Sequence, residues 1–323
     1  MSTKRNEINK RITRIVTFIV ILTAVLVIGL IITNKEQDAS PKYDIHSPAR
    51  IGPVTLTVYD LPAMSEFYQE VIGFQLLKNE GNRAILTADG ETQLLILEEK
   101  KDAVDKPVRT TGLYHFALLL PDQKTLGQYL IHLSETGYLE GAADHQYSEA
   151  LYLMDPEGNG IEIYADRPSN EWIEDGNGGY VGGSYQLNAV ELVKQAKNEQ
   201  WTGLPANTRM GHMHVQVSDL EESEKFYVEV LGFQVVAKSS SHLFVSKDGY
   251  HHHIGMNIWA GKGIPAPPAN AKGLKHYTIN VTETEWKEVR ENLLTENIHF
   301  EEKENVINVN DPSGMGLQIT TKW

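Results

Sequence analysis

Short runs of alternating apolar and polar residues recur along most of the chain. Val54, Leu56 and Val58 alternate with small or polar neighbours, as do Val215 and Val217. A period of two marks half-buried strands. Each run leads into a helical pattern: Asp60 and Asp219 predict helix starts, Phe67 and Val71 lie four apart on one face, and Gly73 and Gly232 suit helix ends. Short strands such as ALYLM and GIEIY follow, divided by Asp-Pro and Gly turns. The order strand–helix–strand–strand–strand is expected four times, near residues 50–100, 112–167, 209–260 and 273–322. The fold class expected from this is α+β. Residues 168–208 join the two halves, with EDGNGGYVGGS as a flexible loop and LNAVELVKQAK as a short helix.

The pattern breaks at the start. Residues 15–34 form an uncharged apolar run flanked by Arg14 and Lys35. Twenty helical residues span ~30 Å, the thickness of a hydrocarbon core. The expectation is one transmembrane anchor, with the basic tail 1–14 in the cytoplasm by the positive-inside rule, 35–49 as a polar tether, and the body on the outer face. A cleaved signal peptide is the alternative, but the run is long for one and no A-x-A site follows it.

The body repeats itself. DLPAMSEFYQEVIGFQ at 60–75 matches DLEESEKFYVEVLGFQ at 219–234. GLYH at 112–115 matches GLKH at 273–276, and DPEGNGIEI at 155–163 matches DPSGMGLQI at 311–319. Three colinear matches make the body two copies of a two-part unit.

Composition narrows the chemistry. There is no cysteine, which excludes disulfides, thiolate catalysis and iron–sulfur clusters. Net charge is −14, and residues 1–35 hold six of the 29 basic groups against one acid, so the body is more acidic still. Such a surface repels phosphate and argues against nucleic acid as a partner.

Four such modules and their motifs resemble the vicinal oxygen chelate superfamily, which unites glyoxalases, bleomycin resistance proteins and extradiol dioxygenases. The likeness spans nearly all of 50–322 and is nearest to the four-module bacterial catechol 2,3-dioxygenase type. It implies four βαβββ modules, two in 50–167 and two in 209–323, forming two cup-shaped mixed sheets around a divalent metal.

In that family the first-strand ligand lies seven residues before the acid that starts the helix. Counting back from Asp122, Asp219, Asp60 and Glu283 gives His115, His212, Pro53 and His276. The last-strand ligand is the acid of D-P-x-G-x-x-E: Glu162 in module two, but Gln318 in module four. The resemblance therefore implies metal ligation by His115, His212 and Glu162 in a cup of modules two and three, with the other cup a structural relic. Two imidazoles and one carboxylate suit Fe(II), with Mn(II) as a substitute. His214 shares a strand face with His212 and is the competing ligand.

The resemblance further implies an acid–base His in a last strand, and a His and Tyr that hold the substrate. GYHHHIGMNIW supplies His252, with His253 as the alternative on the opposite strand face. Ten residues before Glu162 stands Tyr152, and His145 precedes it in ADHQYSEALY. The expected partners are a catechol and dioxygen, the expected reaction is ring opening beside the two hydroxyls, and a homo-oligomer stays open. A metal-dependent isomerase or transferase, or a metal-free binding protein of the same fold, are the alternatives. Neither calls for His145, Tyr152 and His252 together.

Overall fold

The computed structural model describes residues 50–197 and 199–322. The expected anchor at 15–34 lies outside these residues. Among the described residues no helix is long and apolar enough to cross a membrane.

Among the described residues, sixteen strands and five α-helices follow one another in four similar groups. The first is β1 (Ile51–Val58), α1 (Leu61–Phe67), β2 (Gln75–Asn79), β3 (Arg83–Thr87) and β4 (Leu95–Glu99). The second is β5 (Gly112–Leu120), α2 (Gln123–Thr136), β6 (Gly141–Asp144), β7 (Ser148–Met154) and β8 (Gly160–Asp166). A short helix α3 (Ala189–Gln195) lies in the connection. Then come β9 (Arg209–Gln216), α4 (Leu220–Glu224), β10 (Gln234–Lys238), β11 (His242–Ser246) and β12 (Ile254–Asn257). The last group is β13 (Gly273–Asn280), α5 (Glu283–Thr295), β14 (Phe300–Lys303), β15 (Val306–Asn310) and β16 (Gly316–Thr320).

These strands form two eight-stranded mixed sheets, ordered β14-β15-β16-β13-β1-β4-β3-β2 and β10-β11-β12-β9-β5-β8-β7-β6. Each sheet thus joins a group from the first half of the chain to one from the second. The seams are the antiparallel pairs β1·β13 and β5·β9. Inside each group the first and last strands pair in parallel.

Alternation divides each strand between two faces. Phe116, Leu118 and Leu120 of β5 and Ile161, Ile163 and Ala165 of β8 join the main apolar core. Ala117, Leu119, Ala150 and Tyr164 pack separately on the other face, with Tyr152 against them. That other face carries the candidate chemistry.

Capping fixes where the helices begin. The Asp122 carboxylate accepts from the Thr125 backbone N–H at 2.8 Å, and Asp60 and Asp219 cap α1 and α4 in the same way. In the fourth group the cap is Thr282, paired with Glu285 in a capping box, so Glu283 is already inside the helix. Both Phe-Tyr helices pass into a π-helical turn, Tyr68–Ile72 and Lys225–Val230. The first ends at Gly73, whose φ of 95° is a left-handed conformation that suits glycine.

Two of the recurring motifs bind each other. Tyr68 donates its hydroxyl to Asp155 Oδ2 at 2.7 Å, and Tyr227 donates to Asp311 Oδ2 at 3.1 Å. The second oxygen of each aspartate accepts backbone N–H groups of its own turn, Glu157 and Asn159 in one copy, Ser313 and Met315 in the other. The repeated Tyr and Asp are therefore pins between neighbouring groups. Tyr68→Phe is expected to cost roughly 1.5–3 kcal/mol, the worth of a hydrogen bond to a charged group. Its denaturation midpoint should fall accordingly while metal content stays constant.

Candidate active site

β5, β8 and β9 lie side by side, so their like-facing residues converge. His115 of β5, Glu162 of β8 and His212 of β9 are all buried, and one donor atom from each lies within 4.8 Å of the others. Nε2 of His115 stands 3.0 Å and Nε2 of His212 3.3 Å from the same Glu162 oxygen, Oε2. His115 Nε2 makes no hydrogen bond despite that approach, and Nδ1 of His212 is also buried without a partner. An orphaned His115 nitrogen facing a buried carboxylate is costly in a closed protein. A divalent ion held by the three side chains relieves that cost, so the donor set fits a metal. Burial raises the Glu162 pKa, yet the imidazoles of His212 and His115 outweigh it and hold the carboxyl well below its usual range. Burial depresses His212. An ionised carboxylate and neutral imidazoles are the forms that bind a metal.

His214, the competing ligand, lies outside this set. Its Nε2 is 3.1 Å from Nδ2 of the Asn257 amide, and its ring meets the edge of His115 at 4.9 Å.

A cavity of about 630 Å³ opens at the triad. Tyr152, His145 and His252 line it together with His115, Glu162 and His212. Sequence positions from 115 to 252 thus meet in one cavity. Tyr152 lies on β7 directly across from Glu162. His145, just after β6, places Nε2 2.6 Å from the Tyr152 hydroxyl and Nδ1 2.6 Å from the Gly183 carbonyl oxygen. A carbonyl only accepts, so Nδ1 carries the hydrogen. With Nε2 bare, the ring accepts a hydrogen bond from the Tyr152 hydroxyl there. Burial first, and the Glu162 charge second, push the Tyr152 phenol far above its normal pKa.

His252 and His253 divide as neighbours do in an extended chain, although both precede β12. The His252 ring stacks on Phe244 at 4.9 Å and approaches His212 at 4.3 Å. Burial, reinforced by His212 and His251, depresses its pKa strongly, so the ring is neutral. His253 is absent from the cavity wall. Its Nδ1 accepts the Lys247 backbone N–H at 3.2 Å and contacts the Ser246 hydroxyl at 3.0 Å.

The cavity has an aromatic side that sequence reasoning missed: Tyr114, Phe244 and Trp259. Tyr114 should face away from His115 by alternation. A register shift between Leu113 and His115 in the β5·β9 pair breaks the alternation and brings both to the cavity. The Tyr114 ring meets Trp259 edge-on at 5.2 Å.

The other sheet shows the same positions spent. By register against β16, His276 corresponds to His115, although its spacing to the helix cap is one residue shorter. His276 Nε2 is tied to the Thr55 hydroxyl at 3.0 Å, and Gln318 donates to Asn308 at 3.1 Å. Pro53 stands where His212 would be. Among the described residues the one metal-capable cluster is His115, Glu162 and His212.

Comparison with known proteins identifies the family of this fold. The family model for the glyoxalase/bleomycin resistance protein/dioxygenase superfamily matches residues 50–163 and 209–317. The chain is 48% identical over 280 residues to a catechol-2,3-dioxygenase of Bacillus subtilis (strain 168), covering 85% of this chain and 98% of that one. A biphenyl-2,3-diol 1,2-dioxygenase 3 of Rhodococcus globerulus is 27% identical over 120 residues, 36% of this chain and 63% of its own. Glyoxalase I from Zea mays, at 15% identity, superposes with a TM-score of 0.51 over 84% of this chain and 91% of its own, which shows a shared fold.

These findings correct the expected membrane location. The Bacillus relative is matched over 98% of its length by a stretch about as long as the described body, and no described helix can span a bilayer. The body's relatives and its structure give no support to an anchored protein on the outer face of a membrane. With two matched segments that cover most of the chain, and a relative at 48% identity over 85% of it, the chain belongs to the glyoxalase/bleomycin resistance protein/dioxygenase superfamily.

Proposed function

We propose that the chain is an Fe(II)-dependent extradiol dioxygenase that opens a catechol beside its two hydroxyls. The observation that carries this reading is the convergence of a two-His-one-carboxylate set with His145, Tyr152 and His252 in one cavity. The 48% identity to a protein named for catechol 2,3-dioxygenation supports the same substrate class.

His115, His212 and Glu162 would hold the metal. Bound ferrous iron would supply open positions for the two catechol oxygens and for dioxygen, and so bring reactants together. Tyr114, Phe244 and Trp259 offer faces and edges for the flat ring. Tyr152, held by His145, offers a hydroxyl to the charge on one ring oxygen. The neutral His252 ring takes a catechol proton and returns it as the dioxygen bond breaks, as a general base and then a general acid. An isomerase of the same fold needs the metal but not these three side chains together.

The experiment is to purify the full chain without air, load it with ferrous iron, and add plain catechol and then a panel of substituted catechols under oxygen. The expected result is a yellow ring-fission semialdehyde. A fully iron-loaded preparation that forms no such product from any of the panel overturns the reading. Replacing iron by manganese tests the metal. Tyr152→Phe should lower turnover roughly 10-fold to 100-fold, the worth of one hydrogen bond to a charged group. Its metal content should match the unmodified chain.

A further inference from the structure

Next to His252 lies a buried pair for which the mechanism above has no use. His251 Nε2 is 2.9 Å from Asp166 Oδ1, and His251 Nδ1 is 2.8 Å from His252 Nδ1. The His251 and Asp166 side chains are 0% and 3% exposed. The His251 ring is clamped by Tyr147, stacked at 4.3 Å and 14°, and by Tyr250 at 4.0 Å. The other Asp166 oxygen accepts from the Tyr250 hydroxyl at 2.9 Å. Asp166 sits on β8 four residues beyond Glu162, on the same strand face, and neither it nor His251 lines the cavity.

Hydrogen-bond chemistry orders the protons along this chain. A carboxylate only accepts, so His251 carries its hydrogen on Nε2. A ring that carries only this hydrogen is bare at Nδ1 and accepts. The donor must be Nδ1–H of His252. A neutral His252 with its hydrogen on Nδ1 has a lone pair on Nε2, on a ring that lines the cavity.

We propose that Asp166 and His251 are positioning residues: through the chain Asp166–His251–His252 they fix His252 in the Nδ1–H tautomer and leave its Nε2 lone pair to receive a proton from the substrate. This rests on the reading of His252 as the acid–base group. In the proton transfer the substrate O–H bond breaks, its electron pair stays on oxygen, and the new N–H bond forms at His252 Nε2. Without an acceptor beside Nδ1, the hydrogen of His252 is free to sit on Nε2, and the ring then has no base to offer. A carboxylate that orients an imidazole is a recurring device for holding a base in one tautomer. Here a second imidazole is interposed.

The test compares two replacements at one position, in the full iron-loaded chain, with catechol as substrate. His251→Phe keeps the ring volume and the stack on Tyr147 but has no acceptor. His251→Asn loses the ring but retains an oxygen near the place of Nδ1. Positioning through a hydrogen bond predicts that His251→Phe lowers kcat by about 10² or more, within the range of an acid–base group. KM and metal per chain should change less than about twofold, and His251→Asn should be the better enzyme of the two. A space-filling role predicts the reverse order. On a His252→Ala background His251→Phe should add nothing, because the two act as one unit.

Asp166→Ala is an independent arm, since it frees His251 to turn its hydrogen toward His252. A fall in kcat of roughly tenfold or more at constant KM is expected. An unchanged kcat overturns the proposal even where His251→Phe fails to fold. Full activity of His251→Phe, or Phe surpassing Asn, also overturns it. His252→Ala at the unmodified rate overturns instead the reading of His252 on which it rests.

Discussion

Glu162→Gln is expected to strip the protein of its metal. Glu162 is the single anion of the cluster, and both imidazoles direct Nε2 at its Oε2. The amide keeps the shape but removes the charge and turns half of the group into a donor that no cation accepts. Loss of an outer hydrogen-bond partner typically weakens a metal site 10- to 100-fold, so loss of a ligand should cost about 100-fold or more. Metal analysis after purification without air should fall from about one ion per chain to a small residue. Gln318→Ala is the matched control. It alters the corresponding position in the other sheet, where Gln318 is occupied with Asn308, and should leave the stoichiometry unchanged. Equal loss in both variants would sink the assignment of the site.

His252→Ala is expected to give an enzyme that binds but scarcely turns over. Metal content and catechol affinity should persist, since His252 lies outside the ligand cluster. Turnover should fall by roughly 10²–10⁴, the usual contribution of a positioned acid–base group. His253→Ala provides the contrast. That ring accepts a backbone N–H and packs beside Tyr250 at 4.9 Å, so its loss should lower stability while kcat of the folded fraction holds. If the effects of the two variants on kcat are exchanged, the neighbouring histidine is the proton carrier and the dioxygenase chemistry survives.

The repeats made much of the architecture legible in advance, because a period-two pattern and recurring turn motifs are local properties of the chain. His115, His212 and Glu162 were legible for a related reason. Each sits at a fixed distance from a helix start or a turn. The fourth group shows the limit of such counting: its helix is capped by Thr282, and strand register identifies His276 as the counterpart of His115. Contacts between distant strands left no local trace. Nothing near Asp166 announces His251, 85 residues on, because the two meet through the β5·β9 seam and the order of strands beyond it. Tyr114 was hidden by a register shift that alternation does not foresee. Gly183, which orients His145 through a main-chain oxygen, has no side chain to attract notice. The membrane expectation rested on a segment beyond the described residues, and neither the described helices nor the match to the Bacillus relative supports it.

The two seams have a further consequence. A nick within 199–207 would produce two fragments, each carrying one half of both sheets. His115 and Glu162 would remain on the first fragment and His212 on the second. Neither alone has a complete coordination set, and each exposes the hydrogen-bonding edges of β5 and β1, or of β9 and β13. The fragments therefore have reason to recombine, and the proposed metal would act as a rivet that closes only when they do. Cut at that place, the protein becomes a two-component reporter in which a yellow product registers reunion.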